Sequence, residues 1–326
     1  MSEKEFDTTT WRASIPALLL QSMRPRQWVK NFALYAALVF SGFFFYVPAN
    51  EPPYFITVTF AFGIFCLLTS AVYLTNDIVD AKADSTHPLK KKRPIASGSL
   101  PIPIAIYAVI CLLVSVLFLT LWLTPFFRLV LVGYLLLQIL YTIKTKDIPI
   151  LDVFTIATGF LLRIYAGAVV VNLHMNVWFL LTVVSASLFL AVAKRQSERT
   201  LLEGKDIGIT RKSLKRYSHR LLDQYTAMFA SATWLTYALF AFQGGSVSPE
   251  GSFLRLFTIL PKTLQSQKLL MATIPFVIFG VMRYLQLVYE DNEGESPEYI
   301  ILRDKPLQMT VLLFGFVTMM VIYVLS

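Results

Sequence analysis

The sequence predicts an all-α, polytopic membrane bundle of about nine transmembrane helices, and three observations predict it. First, 56% of the 326 residues are hydrophobic and only 15% are charged, with a mean hydropathy of +0.61; soluble domains do not reach this balance. Second, apolar runs long enough to cross a bilayer recur at 29–47, 54–75, 101–123, 126–143, 149–171, 176–193, 223–243, 269–289 and 307–325. Third, the basic residues between these runs alternate. Loops 1–28, 76–100, 144–148, 194–222 and 290–305 hold most of the Lys and Arg, whereas 48–53, 124–125, 172–175 and 244–268 hold few. The positive-inside rule then puts the amino terminus in the cytoplasm and the carboxyl terminus outside. Residues 1–326 read as a single transmembrane domain.

The runs carry their chemistry mainly at their cytoplasmic ends. Residues 1–28 lead into the first run without a small-residue cleavage pattern after it, so no removed secretory signal is expected. Arg24, Arg26, Trp28, Lys30 and Asn31 border that run, and on chemistry alone they form an interfacial anchor. The second run gives way to Asn76-Asp77-Ile78-Val79-Asp80-Ala81-Lys82-Ala83-Asp84. At about 100° per residue, Asn76, Asp77, Asp80 and Asp84 fall within roughly 100° of one another, so one helix face gathers three carboxylates and an amide. Hard oxygen donors crowded in this way repel unless a divalent cation neutralises them. Mg²⁺ characteristically combines one or two carboxylates with phosphate oxygens of a substrate. The face therefore reads as a magnesium site for a phosphorylated or diphosphorylated molecule.

The same loop continues through His87-Pro88-Leu89 to Lys90-Lys91-Lys92-Arg93-Pro94, where the two prolines end any helix. Taken alone, this basic run serves equally as a stop-transfer signal or as an anion site. Beside the Asp face it suits a diphosphate, whose remaining oxygens Lys and Arg would take. Loop 144–148 is short, but Tyr141, Lys144, Lys146, Asp147 and Asp152 cluster around it, and Arg163 follows about three turns into the next run. Asp152 and Arg163 lie at buried depth. Each is either a functional group or part of an internal ion pair, and Arg163 alternatively snorkels. The sixth run ends on Lys194-Arg195-Gln196-Ser197-Glu198-Arg199, which opens an amphipathic surface segment, 194–222, whose part from Arg211 to Arg220 reads as solvated or lipid-facing. Segment 244–268 reads as an exterior loop without chemistry. Arg283, in the eighth run, reads as a candidate for pairing within the bundle.

Several function classes are excluded. The net charge of +9, from 29 Lys plus Arg against 20 Asp plus Glu, is dispersed among loops as topology requires, so no nucleic-acid partner is expected; anionic lipid headgroups and phosphate substrates are. The three histidines, His87, His174 and His219, are scattered, which excludes a histidine metal site or a Ser-His-Asp arrangement. Cys66 and Cys111 lack ligand spacing and read as packing residues.

The Asn76-Asp77-x-x-Asp80-x-x-x-Asp84 pattern resembles the first Asp-rich motif of the UbiA-type intramembrane prenyltransferase superfamily. The rest of the chain is similar to its decaprenyl-phosphate phosphoribosyltransferase branch. The likeness runs through Arg24 to Asn31, His87-Pro88 with Arg93-Pro94-Ile95-Ala96-Ser97-Gly98, Lys146 to Asp152, Ala157-Thr158-Gly159-Phe160 with Arg163, Ala193-Lys194-Arg195, Arg283-Tyr284 and the acidic stretch before Pro297-Glu298. It implies an enzyme of the cytoplasmic side of the plasma membrane, a Mg²⁺-dependent glycosyltransferase of a lipid-linked arabinose, cell-envelope pathway. The implied donor is phosphoribosyl diphosphate and the implied acceptor a polyprenyl phosphate. Asp77, Asp80 and Asp84 would be catalytic metal ligands, with Asn76 as ligand or orienter. Arg24, Arg26, Lys30, Asn31, Lys90, Arg93, Tyr141, Lys146, Asp152, Arg163, Lys194 and Arg195 would bind substrate. One departure matters: relatives that use prenyl diphosphates carry a second motif with aspartates four apart, whereas Asp147 and Asp152 are five apart. That favours Lys146 as a direct phosphate ligand and disfavours transfer of a prenyl group to an aromatic acceptor. A transporter, the reading from another class, would need an inverted repeat, and none is apparent.

Overall fold

Long apolar sequences with few helix breakers satisfy their backbone groups internally as helices, and prolines sit where helices begin. The computed structural model describes residues 14–86, 90–201, 213–243, 268–290, 300 and 303–325, and among these every regular element is helical. His87-Pro88, Arg211, most of the 244–268 loop and the acidic stretch before Pro297-Glu298 lie outside the described residues. The helices are α1 (Ile15–Met23), α2 (Leu34–Phe40), α3 (Tyr54–Val79), α4 (Ala81–Thr86), α5 (Ile102–Leu119), α6 (Pro125–Ile143), α7 (Leu151–Val170), α8 (Val177–Leu201), α9 (His219–Gln243), α10 (Ile274–Tyr289) and α11 (Lys305–Tyr323). Prolines occupy the first turn of α1, α5, α6, α10 and α11.

Seven segments among the described residues are long and apolar enough to cross a membrane: Tyr54–Val79, Ile102–Trp122, Pro125–Ile143, Leu151–Val170, Val177–Thr200, Leu269–Tyr289 and Lys305–Tyr323. Two of the nine apolar runs are built differently. Run 29–47 becomes a 3₁₀ segment, Pro25–Ala33, followed by the seven-residue α2, which ends at Ser41. Run 223–243 lies within the 25-residue α9, whose Thr, Ser and Gln residues lower its hydropathy. α3 spans 26 residues, about 39 Å at 1.5 Å per residue, and so carries its charged last turn beyond a hydrocarbon core of about 30 Å. Large apolar side chains on α5 and α6, such as Tyr107, Leu117, Phe126 and Leu129, are exposed, as lipid-facing helices require.

The chain forms two compact units, residues 1–29 with 63–122, and residues 30–62 with 123–326. In the first unit, Leu74, Ile95, Leu100 and Ala105 form a core against Leu18, Leu19 and Met23 of α1. Trp28 Nε1 donates to Ser70 Oγ at 3.1 Å, and that hydroxyl donates to the Met23 carbonyl, tying the end of α1 to α3. In the second unit α7 packs on α2, α6 and α8, and α8 packs on α9. Gly167 makes the α2–α7 approach possible, since a Cβ there would stand 1.9 Å from the Leu34 carbonyl oxygen.

Candidate active site

In the first unit the helix ends put charges together. α1 terminates at Arg24 in the left-handed conformation (φ 54°, ψ 62°), which turns the chain sharply after Met23. Arg24 Nη2 donates to Asp77 Oδ1 at 2.5 Å, and its guanidinium lies 5.1 Å from the Tyr73 ring centre. α3 gives way to α4 at Asp80. The amides of Asp80 and Asp84 still bond four residues back, to Asn76 and Asp80, so helical phasing persists through the acidic stretch. The carboxylates of Asp77 and Asp84 are buried, the residues only 3% and 4% exposed. Arg93, turned back by its amide bond to the Lys90 carbonyl, bridges them: Nη1 lies 3.1 Å from Asp77 Oδ1 and 2.5 Å from Asp84 Oδ2. Lys90 Nζ is 3.6 Å from Asp84 Oδ1. Two withdrawn carboxylates thus face three cations, whose charges oppose the cost of burying them. Asn76 and Asp80 are half-buried nearby in sequence, and Arg26 is exposed. Among the described residues no three acidic, His or Cys side chains converge as a ready metal cage.

In the second unit a denser network surrounds Asp152 in the first turn of α7. Asp152 and Arg195 are both 0% exposed. Arg195 Nε donates to Asp152 Oδ2 at 2.7 Å, Nη1 donates to Glu198, and Nη2 to Tyr141 Oη at 3.3 Å. Every guanidinium nitrogen is thereby engaged. Tyr217 Oη donates to Asp152 Oδ1 at 2.8 Å and Ser213 Oγ to the Lys146 carbonyl at 2.9 Å. Burial pushes the Tyr217 phenol well above the usual tyrosine range, and the Asp152 charge adds to it. Lys146 and Lys194 are half-buried, as is Lys30 in the 3₁₀ segment.

Arg163 forms a third centre. Its Nε donates to Asn31 Oδ1 (3.0 Å), Nη1 to the Gly159 carbonyl (2.8 Å) and Nη2 to Tyr134 Oη (2.7 Å), and the guanidinium lies 4.9 Å from the Tyr134 ring centre. At 6% exposure it does not snorkel. Arg283 pairs within the bundle, Nη2 to Asp304 Oδ2 at 2.6 Å.

Of the residues the sequence singled out, the structure brings together Arg24, Lys90, Arg93, Asp77 and Asp84, and separately Tyr141, Asp152 and Arg195; the sequence reasoning itself left the cations undivided. It passed over Ser213, Tyr217 and Tyr134, and put Tyr217 on a solvated or lipid-facing stretch. Leu214 and Tyr217 are in fact 1% and 2% exposed. Their i, i+3 spacing in an otherwise basic segment was the signal that could have found them.

Comparisons with known proteins agree with this arrangement of helices. The chain is 33% identical over 309 residues to decaprenyl-phosphate phosphoribosyltransferase of Corynebacterium glutamicum, covering 94% of this chain and 87% of that protein. It is 34% identical over 315 residues to the Mycolicibacterium smegmatis protein of the same name, covering 96% and 94%. In fold it is similar to a UbiA homologue from Archaeoglobus fulgidus whose structure holds GPP and Mg²⁺, with a TM-score of 0.64, 18% identity and coverage of 94% and 99%. The UbiA prenyltransferase family matches residues 33–300. With most of its length inside that match and its helices following that fold, the chain is a multi-pass membrane protein and belongs to the UbiA prenyltransferase family.

Proposed function

We propose that this protein transfers the 5-phosphoribosyl group of phosphoribosyl diphosphate to a polyprenyl phosphate of decaprenyl type, releasing diphosphate, at the cytoplasmic face of the plasma membrane. The observation that carries this reading is the near full-length similarity to two decaprenyl-phosphate phosphoribosyltransferases. The family match runs through both units, which supports one UbiA-like domain over 1–326.

The first unit suits the diphosphate end of the donor. Its donor set fits a hard divalent cation: Asp77 and Asp84 turn carboxylate oxygens toward one positively charged atom, Arg93 Nη1, with Asp80 and Asn76 on the adjoining turns. Asp77, Asp80 and Asp84 would hold Mg²⁺, with Asn76 as ligand or orienter. Bound there, Mg²⁺ would supply Lewis-acid neutralisation of the departing diphosphate. Arg24, Arg26, Lys90 and Arg93 bind its remaining oxygens, Arg93 by exchanging a carboxylate for a phosphate oxygen. In the second unit Lys146, Lys194 and Lys30 serve the other anionic groups, the ribose 5-phosphate and the lipid phosphate. Arg195, Asp152 and Tyr141 hold the Lys146 turn and the end of α8 in register, and Arg163 with Asn31 steadies the start of α2.

The ribose C1–O bond to diphosphate breaks, and the leaving group departs with the electron pair. An oxygen of the lipid phosphate forms the new bond to C1. That oxygen is already anionic at neutral pH, so positioning rather than a strong general base lowers the barrier. Purified protein given Mg²⁺, phosphoribosyl diphosphate and a polyprenyl phosphate is expected to yield a lipid-linked phosphoribose. Absence of that product, together with turnover of a prenyl diphosphate on an aromatic acceptor, would replace this reading with prenyl transfer.

A further inference from the structure

The turn between α6 and α7 carries Lys146 and ends in an unusual backbone. Ile150 adopts φ 70°, ψ −51°, a region that a β-branched residue avoids. Its side chain is 48% exposed, so packing of that side chain does not hold it there. The backbone is held instead. The Ile150 amide donates to Tyr217 Oη at 2.5 Å, while the Ile150 carbonyl accepts the Phe154 amide that opens α7. Four residues earlier, Ser213 Oγ donates to the Lys146 carbonyl at 2.9 Å.

Both ends of the 146–150 turn are therefore tied to one short segment, 213–217, which leads into α9. That segment is itself fixed. Tyr217 Oη donates to Asp152, which the fully buried Arg195 holds, and Arg199 Nη1 donates to the Leu214 carbonyl at 3.0 Å. A hydroxyl that accepts one bond and donates another has no freedom to release the turn while Asp152 stays in place.

We propose that Tyr217 and Ser213 are positioning residues that set the 146–150 turn, and through it the phosphate-binding Lys146. The inference rests on the donor-binding role proposed for Lys146. Y217F keeps the ring and its packing and removes only the hydroxyl; S213A removes the bond to the Lys146 carbonyl. Amide exchange in full-length protein in detergent is expected to speed up about tenfold for the 146–151 backbone of Y217F and S213A, the effect of one lost hydrogen bond, and to stay unchanged in α5. Affinity for ribose 5-phosphate, the donor fragment given to the Lys146 group of cations, should fall about tenfold in Y217F and also in K146Q, while the double variant should bind no more weakly than K146Q alone.

Unchanged exchange in the turn, wild-type ribose 5-phosphate affinity in Y217F, or additive losses in the double variant would each overturn the proposal, additivity being the outcome of a merely structural role. If Y217F does not fold, S213A with K146Q and their double variant decide the question by the same two readouts. A wild type that binds no ribose 5-phosphate rejects the donor reading and the role through Lys146 with it. A wild type that binds, with Y217F binding equally well, rejects only the positioning role.

Discussion

Arg195 Nε and Asp152 Oδ2 meet at 2.7 Å with neither side chain reaching the surface, and this pair joins the first turn of α7 to the last turns of α8. A buried ion pair adds little net stability when it is complete, but breaking it leaves a charge with nothing to balance it.

Arg195→Ala is accordingly expected to cost about 3–5 kcal/mol, because the Asp152 carboxylate stays buried without its partner. Thermal unfolding in detergent checks it. A loss below about 1 kcal/mol, the scale of an exposed pair, would contradict the burial assigned here.

Asp77→Asn and Asp84→Asn should each lower turnover by about 100-fold or more, the scale on which removing a group that stabilises developing charge acts. Chelation of divalent cations should do the same to the wild type. Arg220→Ala, at the exposed start of α9, should leave the rate unchanged. Steady-state assays with size-exclusion profiles separate lost chemistry from lost fold. Equal losses in all three variants would remove the assignment of the acidic stretch.

Gly167→Ala should destabilise by about 1–3 kcal/mol, the range for overpacking, because the added methyl would stand 1.9 Å from the Leu34 carbonyl and only backbone movement relieves that contact. Gly63→Ala, with open space around it, is the control. The difference in melting temperature between the two is the measurement.

Asp304 caps α11 by accepting the Leu307 amide and pairs with Arg283, whose hydrogen bond holds its carboxyl below the ordinary value of 3.8. A carboxylate with a lowered folded pKa contributes fully above its unfolded value and loses that contribution as pH falls through the folded one. Asp304→Asn should therefore lower the melting temperature equally at pH 7 and pH 5. The gap to wild type should close only below about pH 3.8. A gap that closes already between pH 7 and pH 5 would show that the pair is not what stabilises the carboxylate.

Much of this was readable residue by residue. Hydropathy located α3, α5, α6, α7 and α11 to within a few residues because in a bilayer every backbone group must be paired inside its own segment. The acidic face at Asn76 to Asp84 was readable because helical phasing alone groups its side chains. Run 29–47 is not one continuous helix. Hydropathy does not register the 3₁₀ segment that carries Trp28 to Ser70, nor how short α2 is once it packs on Gly167. Tyr217 escaped for a related reason, since basic neighbours on both sides masked a side chain whose partners, Ile150 and Asp152, lie 67 and 65 residues away.

By itself the sequence determined that the chain spans a membrane as helices, and that a carboxylate face with neighbouring cations sits where one helix leaves the apolar layer. These follow from local periodicity and the free energy of transfer into lipid, which depend on neighbours along the chain. Only the tertiary structure decided that Arg93 bridges Asp77 and Asp84, that Arg195 is wholly consumed by Asp152, Glu198 and Tyr141, and that the Lys146 turn hangs from Ser213 and Tyr217. Each of those is a choice of partner among distant groups of matching charge. Burial and hydrogen-bond geometry make that choice, and neither exists before the helices pack.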